Sequence, residues 1–585
     1  MLHYVVLFMQ GYIEDGGIYR HLGIKNFLEG DLFSWYLDAW NDDLEKIIRQ
    51  MVAVLDEYDP KTLSIDPIES RDLLKKLYQQ LFPKTVRHDL GEYYTPDWLA
   101  EIVIERVGYD GEPNKRVLDP ACGSGTFLVM AINKVREFAD KHMIPKHELL
   151  PKILNNIVGF DLNPLAVMAA RTNYLLALRE LLKLGGEIEI PVYLCDSIMT
   201  PAEYGELLTK EGTATGGIGQ VQELKTSAAR FMIPTEIAQS RQTVAKYTEE
   251  LEHCVRNDYT EDEFISRLKG ERIPSEAGEL HKALYRQVVT LKQRNQNDIW
   301  ARIIKNSFAP LFIERVDYVL GNPPWVFWNN LPPEYREQVR HLMVDTYEIA
   351  ARSASTMKRL GSAGKDISAL FVYVCLDRYL TVRGRLGFVI TQTLFQSTAA
   401  DEFRQFRLPG GVPFCIAGVD DWVKVAPFVA AANKTTTFVA IKGEENRYPV
   451  AYRIWEVIGK FDRETALIEE VKENIRCREA WGWPSDPKRA TSFWLIGESQ
   501  KRRTPTSGEK HHYEVRRGVE TGLESAFRVR VLQYDGGDTA LVENIIECAY
   551  SVCSERYNSV FGKSGHVMRR TLPVGVFGVK RISML

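Results

Sequence analysis

Cysteine is sparse and unpatterned: eight in 585 residues (Cys122, Cys195, Cys254, Cys375, Cys415, Cys477, Cys548 and Cys553), with no Cys-x-x-Cys and no Cys/His ligand spacing. That excludes a disulfide framework and a zinc site, so reduced thiols and no metal are expected. A long apolar run is also missing. No stretch reaches the roughly 18 residues of a bilayer span, and Met1-Leu2-His3-Tyr4-Val5-Val6-Leu7 lacks the basic start of a secretory leader. The expectation is a cytoplasmic protein with no membrane partner. Net positive charge is absent too: 74 Lys+Arg against 78 Asp+Glu leave a net charge of −4, which argues against a surface that binds nucleic acid all over. The local exception is Trp481–Leu585, with 16 Lys/Arg against 11 Asp/Glu, among them Lys501-Arg502-Arg503, Arg516-Arg517 and Arg569-Arg570. On charge alone, a solvated surface and a phosphate-tracking face are equally good readings of it. Finally, residues 1–90 hold no Pro-Asp…Glu-x-Lys nuclease set, so no cleavage of DNA by this chain alone is expected.

What is present divides the chain. Over residues 30–82, Leu32, Tyr36, Leu37 and Trp40, then Leu44, Ile47, Ile48, Met51, Val54 and Leu55, fall mostly at three- and four-residue steps, and a further helix is predicted over 68–82. Residues 1–90 therefore read as a helical N-terminal domain. From Val117 to Asp196, short apolar runs alternate with long helical ones, the signature of parallel strands with crossover helices in a doubly wound α/β sheet. The alternation stops at residues 201–312, which read as a helical insertion, and resumes with the strand Val316–Gly321. The sheet domain, 91–442, is expected to close near Lys442. Residues 443–585 form a mixed C-terminal region that stops soon after Val574–Val579 without a finishing element, as expected of an incomplete domain.

Four motifs carry chemistry. The rarest is Asn322-Pro323-Pro324-Trp325 at the end of a strand; Asn-Pro-Pro is expected by chance only on the order of 0.05 times in a chain this long. A bare turn opened by Asn-Pro is the bland alternative. An amide, a rigid proline carbonyl and an aromatic face presented together suit a planar amino group. Asp119-Pro120-Ala121-Cys122-Gly123-Ser124-Gly125-Thr126 follows a strand and opens a helix, so two glycines let the backbone turn sharply beside a ligand. Leu128 stands where the dinucleotide fingerprint needs its third glycine, and no Gly-Lys-[Ser/Thr] follows, which leaves a nucleoside site whose ligand need not be a polyphosphate. Asp161, in Gly159-Phe160-Asp161-Leu162-Asn163-Pro164, is placed to accept from ribose hydroxyls, and Asp196, ending the third strand, from the exocyclic amine of adenine. Each aspartate alone is more often a helix cap. Three successive strands ending in Asp on the edge where such sheets bind ligands are harder to dismiss. Upstream, Thr95 in Tyr93-Tyr94-Thr95-Pro96-Asp97 reads as a helix cap with proline at the first helical position.

In this order, Tyr-Thr-Pro, Asp-Pro-Ala-Cys-Gly-Ser-Gly-Thr, Gly-Phe-Asp-Leu-Asn-Pro and Asn-Pro-Pro-Trp resemble the S-adenosylmethionine-dependent N6-adenine DNA methyltransferases of the gamma arrangement, of restriction-modification or phage-defence type. Asp366-Ile367-Ser368-Ala369-Leu370-Phe371 and Gly384–Ile390 match later motifs of the group, and Arg516–Phe527 is similar to the start of target-recognition domains. The resemblance implies S-adenosyl-L-methionine as cofactor and double-stranded DNA as partner, with further defence-system subunits. It also implies roles. Thr95, Ala121 and the Gly123/Gly125 turn hold the methionine part of the cofactor with Asp119 near its amino group, while Asp161 takes the ribose and Asp196 the adenine. Asn322 and the Pro323 carbonyl, stiffened by Pro324, take the target amine, and Trp325 stacks on an extruded base where the family often has Tyr or Phe. The rival activities are N4-cytosine methylation, methylation of a protein amide or of ribosomal RNA, and a DNA-binding subunit or fused restriction enzyme with little activity alone.

Overall fold

The computed structural model describes residues 17–21, 23–27, 41–56, 94–184, 186–200, 221–225, 230–293, 300–350, 366–428 and 434–498, and the backbone of three strands beyond them. Short apolar runs become strands and the longer helical-period runs between them become crossovers. In chain order the strands are β1 (Val117–Asp119), β2 (Ile157–Asp161), β3 (Val192–Leu194), β4 (Val221–Lys225), β5 (Arg230–Pro234), β6 (Val316–Gly321), β7 (Leu380–Thr391) and β8 (Phe414–Asp421). Then follow β9 (Thr435–Lys442), β10 (Val450–Val457), β11 (Ile475–Pro484) and β12 (Trp494–Gly497).

Ten of these make one sheet in the order β12-β11-β10-β8-β9-β7-β6-β1-β2-β3. Strands β7, β6, β1, β2 and β3 run parallel, β9 lies antiparallel between β7 and β8, and β10 returns parallel to β8. Side chains alternate between two cores, as the pleat requires: Leu118, Val319, Phe388 and Ile390 face one, Val117, Leu320 and Val389 the other. The second core is covered by helices at Asp97–Val107, Thr126–Lys141, Lys146–Asn156 and Pro164–Leu178. The first is covered by the helices Pro333–His341 and Ser368–Val374 and the short turns over 394–408.

The sheet does not close at Lys442. Val450, Tyr452, Ala480 and Trp494 are buried in the same core as Phe395, whose ring stacks on Trp494 at 4.8 Å, so β10 to β12 widen the sheet to Gly497. A separate compact unit covers Arg503–Leu585, in which β13 (Val529–Tyr534), β14 (Thr539–Asn544) and β15 (Val574–Gly578) pair antiparallel. Of the expected N-terminal helices, Asp42–Asp56 is present, and the helix expected at 68–82 lies outside the described residues. The described part of residues 201–312 is mainly helical, with helices at Arg241–Arg256, Glu261–Gly270, Gly278–Gln293 and Trp300–Ser307, and it also holds the hairpin β4–β5. They bury their own cluster, including Phe231, Tyr247, Phe264 and Leu284. No described helix is long and apolar enough to cross a membrane.

One carboxylate fastens the edge of the domain. Asp420, at the end of β8 and 2% exposed, accepts from Arg453 Nε at 2.9 Å and Nη2 at 3.2 Å and from Trp455 Nε1 at 2.8 Å, with Arg106 Nη2 at 3.5 Å. Trp455 stacks on Trp422 at 5.0 Å, and Trp98 meets Trp422 edge-on at 5.5 Å, so β8, β10 and the helix Asp97–Val107 share one joint. Removing one partner of such a group strands the others. Asp420→Ala should lower unfolding free energy by about 3 kcal/mol in a denaturant titration, and Asp420→Asn by less.

Candidate active site

The parallel strands β1, β2, β3 and β6 deliver their carboxyl ends to one edge, and a cavity of about 850 Å³ opens there. One wall is the turn after β1. Gly123 (φ 54°) and Gly125 (φ 84°) are both in the left-handed region, which glycine enters at no steric cost. A Cβ on Gly123 would meet no atom within 4 Å, whereas one on Gly125 would meet Ala170 at 3.3 Å. Gly123 therefore leaves room in the cavity, and Gly125 lets the helix Thr126–Lys141 pack against Pro164–Leu178.

Asp161 locks this turn to β2: its Oδ2 accepts from Gly123 N at 2.8 Å and its Oδ1 from Asn163 N at 2.8 Å. Asn163 in turn caps the next helix by accepting from Leu165 N at 3.0 Å, with Pro164 at the first position. Asp119 lies deeper, 1% exposed, accepting from Ala121 N at 3.2 Å. Burial pushes its carboxyl well above the usual range, and Asp161 adds to the rise. Strand β6 passes so close that a Cβ on Gly321 would stand 2.7 Å from Asp119 Oδ1. Asp196 Oδ1 accepts from Ile198 N at 2.8 Å and Met199 N at 3.0 Å; burial raises its pKa, while these N–H groups oppose the rise.

The opposite wall is the loop after β6, with Asn322, Pro324 and Val326 on the cavity. It is pinned from behind by Ile367 N donating to Val326 O at 3.0 Å and by a backbone bridge between Phe327 and Asp366. The structure thus gathers Thr95, Asp119, Ala121, Gly123, Asp161, Asp196, Asn322 and Pro324 around one space. Gly125, Pro323 and Trp325 do not line it.

Trp325 departs most from expectation. Its ring is 4% exposed, donates from Nε1 to Val389 O at 3.3 Å and meets the edge of Phe428 at 5.1 Å. In this conformation it is core, because the indole is large enough to reach the apolar side of β7, and it presents no open face to a base. Thr95 also differs: the helix begins at Asp97 with Pro96 at the cap position and no side-chain cap, so Thr95 is a buried cavity residue and no cap. Sequence reasoning gave no role to Leu162, Tyr335, Phe371 or Phe428. Leu162 and Phe371 lie inside motifs already noted, whereas Tyr335 and Phe428 carry no local signal.

The donor set suits the expected cofactor. A buried, uncompensated carboxyl (Asp119) invites an ammonium group, Asp161 and Asp196 offer acceptors further along, and Gly123 leaves the space a side chain would fill. Among the described residues, no cluster of three or more His, Cys, Asp or Glu stands ready for a metal.

A doubly wound sheet of this order, with a cavity between the glycine turn and the amide loop, defines an α/β methyltransferase fold. Residues 69–186 match the N-6 DNA methylase family and residues 155–409 the Eco57I restriction-modification methylase family. Residues 69–409 are thus similar to DNA methylases of the N-6 and restriction-modification families. Among curated relatives, the adenine-specific methyltransferase PglX of Streptomyces coelicolor is 29% identical over 177 residues, 28% of this chain and 14% of that protein. The methylase subunit of the type I restriction enzyme MjaVII of Methanocaldococcus jannaschii is 31% identical over 97 residues, 17% of this chain and 16% of that protein. The chain thus spans a small part of the length of these relatives. Among solved structures, a DrdV–DNA complex determined by electron cryomicroscopy aligns with a TM-score of 0.41 at 15% identity, over 84% of this chain and 40% of that one.

Two measurements test the site. Asp161→Ala removes the acceptor of two backbone N–H groups and should weaken S-adenosylmethionine binding at least tenfold by calorimetry, through loss of turn geometry and of an acceptor together. Asp366, buried behind the loop, has its carboxyl pushed up from 3.8 to about 7 by burial. The unfolded chain releases this proton first, so the stability it contributes is complete below pH 3.8 and is lost as pH rises to about 7. Asp366→Asn should remove that slope in urea titrations across the window.

Proposed function

We propose that this chain transfers a methyl group from S-adenosylmethionine to the N6 amine of adenine at specific sites in double-stranded DNA, as part of a restriction-modification or phage-defence system in the cytoplasm. The observation that carries the reading is the single cavity shared by the Gly123 turn and the Asn322 loop. Bound there, the cofactor supplies an electrophilic methyl group on a sulfonium. Asp119, Asp161 and Asp196, with Thr95, Ala121 and Gly123, are the residues that hold it.

The chain's own task is the amine. An adenine N6 lone pair is delocalised into the ring and is a poor nucleophile. Accepting its two N–H groups on the Asn322 side-chain oxygen and the Pro323 carbonyl localises the lone pair, aims it, and stabilises the positive charge that develops on nitrogen. The rigid Pro323-Pro324 pair fixes the carbonyl direction. Because the amine is paired inside a duplex, the base must leave the stack at a cost of a few kcal/mol. Base choice in the surrounding sequence falls to the C-terminal region, whose excess of Lys/Arg suits phosphate contacts and whose strands suit a groove. The type I methylase relative supports a multisubunit setting, with additional chains as partners.

Asn rather than Ser at position 322 favours adenine over cytosine, and mass spectrometry of nucleosides from methylated DNA separates N6-methyladenine from N4-methylcytosine. Asn322→Ala should reduce methyl transfer by at least a hundredfold while changing cofactor affinity by less than about threefold, because the side chain serves the target. Equal loss of both would assign Asn322 to the cofactor instead.

A further inference from the structure

The polypeptide leaving the Asn322 loop does not turn away from the cavity. Asn330, Leu331 and Pro332 continue its wall, and the helix Pro333–His341 then brings Tyr335 onto it, opposite the turn that carries Asp196. That turn is fixed from behind: Arg378 Nη1 donates to Ile198 O at 2.7 Å and Tyr379 OH to Ser197 O at 2.6 Å. Oδ1 of Asp196 accepts from two backbone N–H groups, which uses both of its lone pairs. The Tyr335 hydroxyl also hydrogen-bonds this carboxylate, and Arg378 is the neighbouring cation. By the lone-pair count, that bond falls to Oδ2, which keeps one further acceptor position toward the cavity.

We propose that Tyr335 is a positioning residue for the purine of the cofactor: its hydroxyl donates to Asp196 and holds Oδ2 as an acceptor aimed at the cavity, so that a 6-amino purine is preferred to a 6-oxo purine. An ionised carboxylate can only accept, and it repels a purine carbonyl. Without the Tyr335 donor, Oδ2 is no longer held toward the purine, which weakens the distinction. Since Tyr335 follows Asn322 on one continuous segment, the same stretch of chain serves both the target amine and the choice of cofactor base.

The inference rests on the reading of the cavity as the S-adenosylmethionine site, and binding separates the two. The full chain and Tyr335→Phe are titrated calorimetrically with S-adenosylhomocysteine and with its 6-oxo counterpart, S-inosylhomocysteine. The substitution deletes one oxygen from a partly exposed side chain, and the unliganded thermal midpoint serves as the control for folding. The unsubstituted chain should prefer the amino form, and Tyr335→Phe should shrink that preference roughly fivefold or more, the scale of one hydrogen bond to a charged group. An equal loss of affinity for both ligands overturns the proposal and leaves Tyr335 a structural role. Tighter binding of the amino form by Tyr335→Phe also overturns it, showing that the hydroxyl competes for Asp196. Binding of neither ligand by the unsubstituted chain overturns the reading of the cavity itself.

Discussion

Two backbone amides on one carboxylate hold the site together. Asp161 ends β2, yet its oxygens accept from Gly123 in the turn after β1 and from Asn163 at the start of the next helix. The flanks of the glycine turn are held by Cys122 N–H donating to Phe160 O at 2.8 Å and Asn173 Nδ2 to Ser124 O at 2.8 Å, and the Asp161 carboxylate adds the bond on Gly123 itself. A charged acceptor is stronger than a neutral one, and here one of its two bonds reaches a loop 38 positions away. The same residue serves the architecture and lines the cavity.

The opposite wall depends on a different device. The Asn322 loop is anchored through its continuation, where Val326 and Phe327 pair with Asp366 and Ile367, so the amide is held by backbone on a buried segment. Gly321 lets β6 approach Asp119 closely enough for the two walls to face each other across one space. Trp325, by contrast, is packed as a core residue against Val389 and Phe428.

Much of this was legible in the sequence. Strands and crossovers from Val117 to Leu194 followed from run length and periodicity, because parallel strands buried on both faces read as short uninterrupted apolar runs. The three strand-end aspartates and the amide loop were visible as motifs, and the fold brings them to one edge. Three things were not legible. The local pattern at Thr95 reads as a helix cap, which the helix starting at Asp97 does not use, while the family resemblance places it at the cavity where it lies. The extension to β12 depends on Trp494 packing against Phe395, a contact between residues a hundred positions apart that no local pattern encodes. Residues 398–406 form short tight turns, where Arg404 bonds the Leu394 and Ser397 carbonyls and Phe406 turns left-handed (φ 50°), tertiary demands that no local pattern encodes.

The segment between β3 and β6 buries its apolar side chains among themselves: Phe231, Tyr247, Phe264, Leu284 and Trp300 share one cluster distinct from the two that cover the sheet. Its grip on the sheet includes Arg241, which sits over the Tyr193 ring and pairs with Glu189. A piece with its own buried cluster draws its cohesion from within, apart from the strands around it. Lineages could therefore lengthen, trim or exchange it with little penalty to the chemistry beneath.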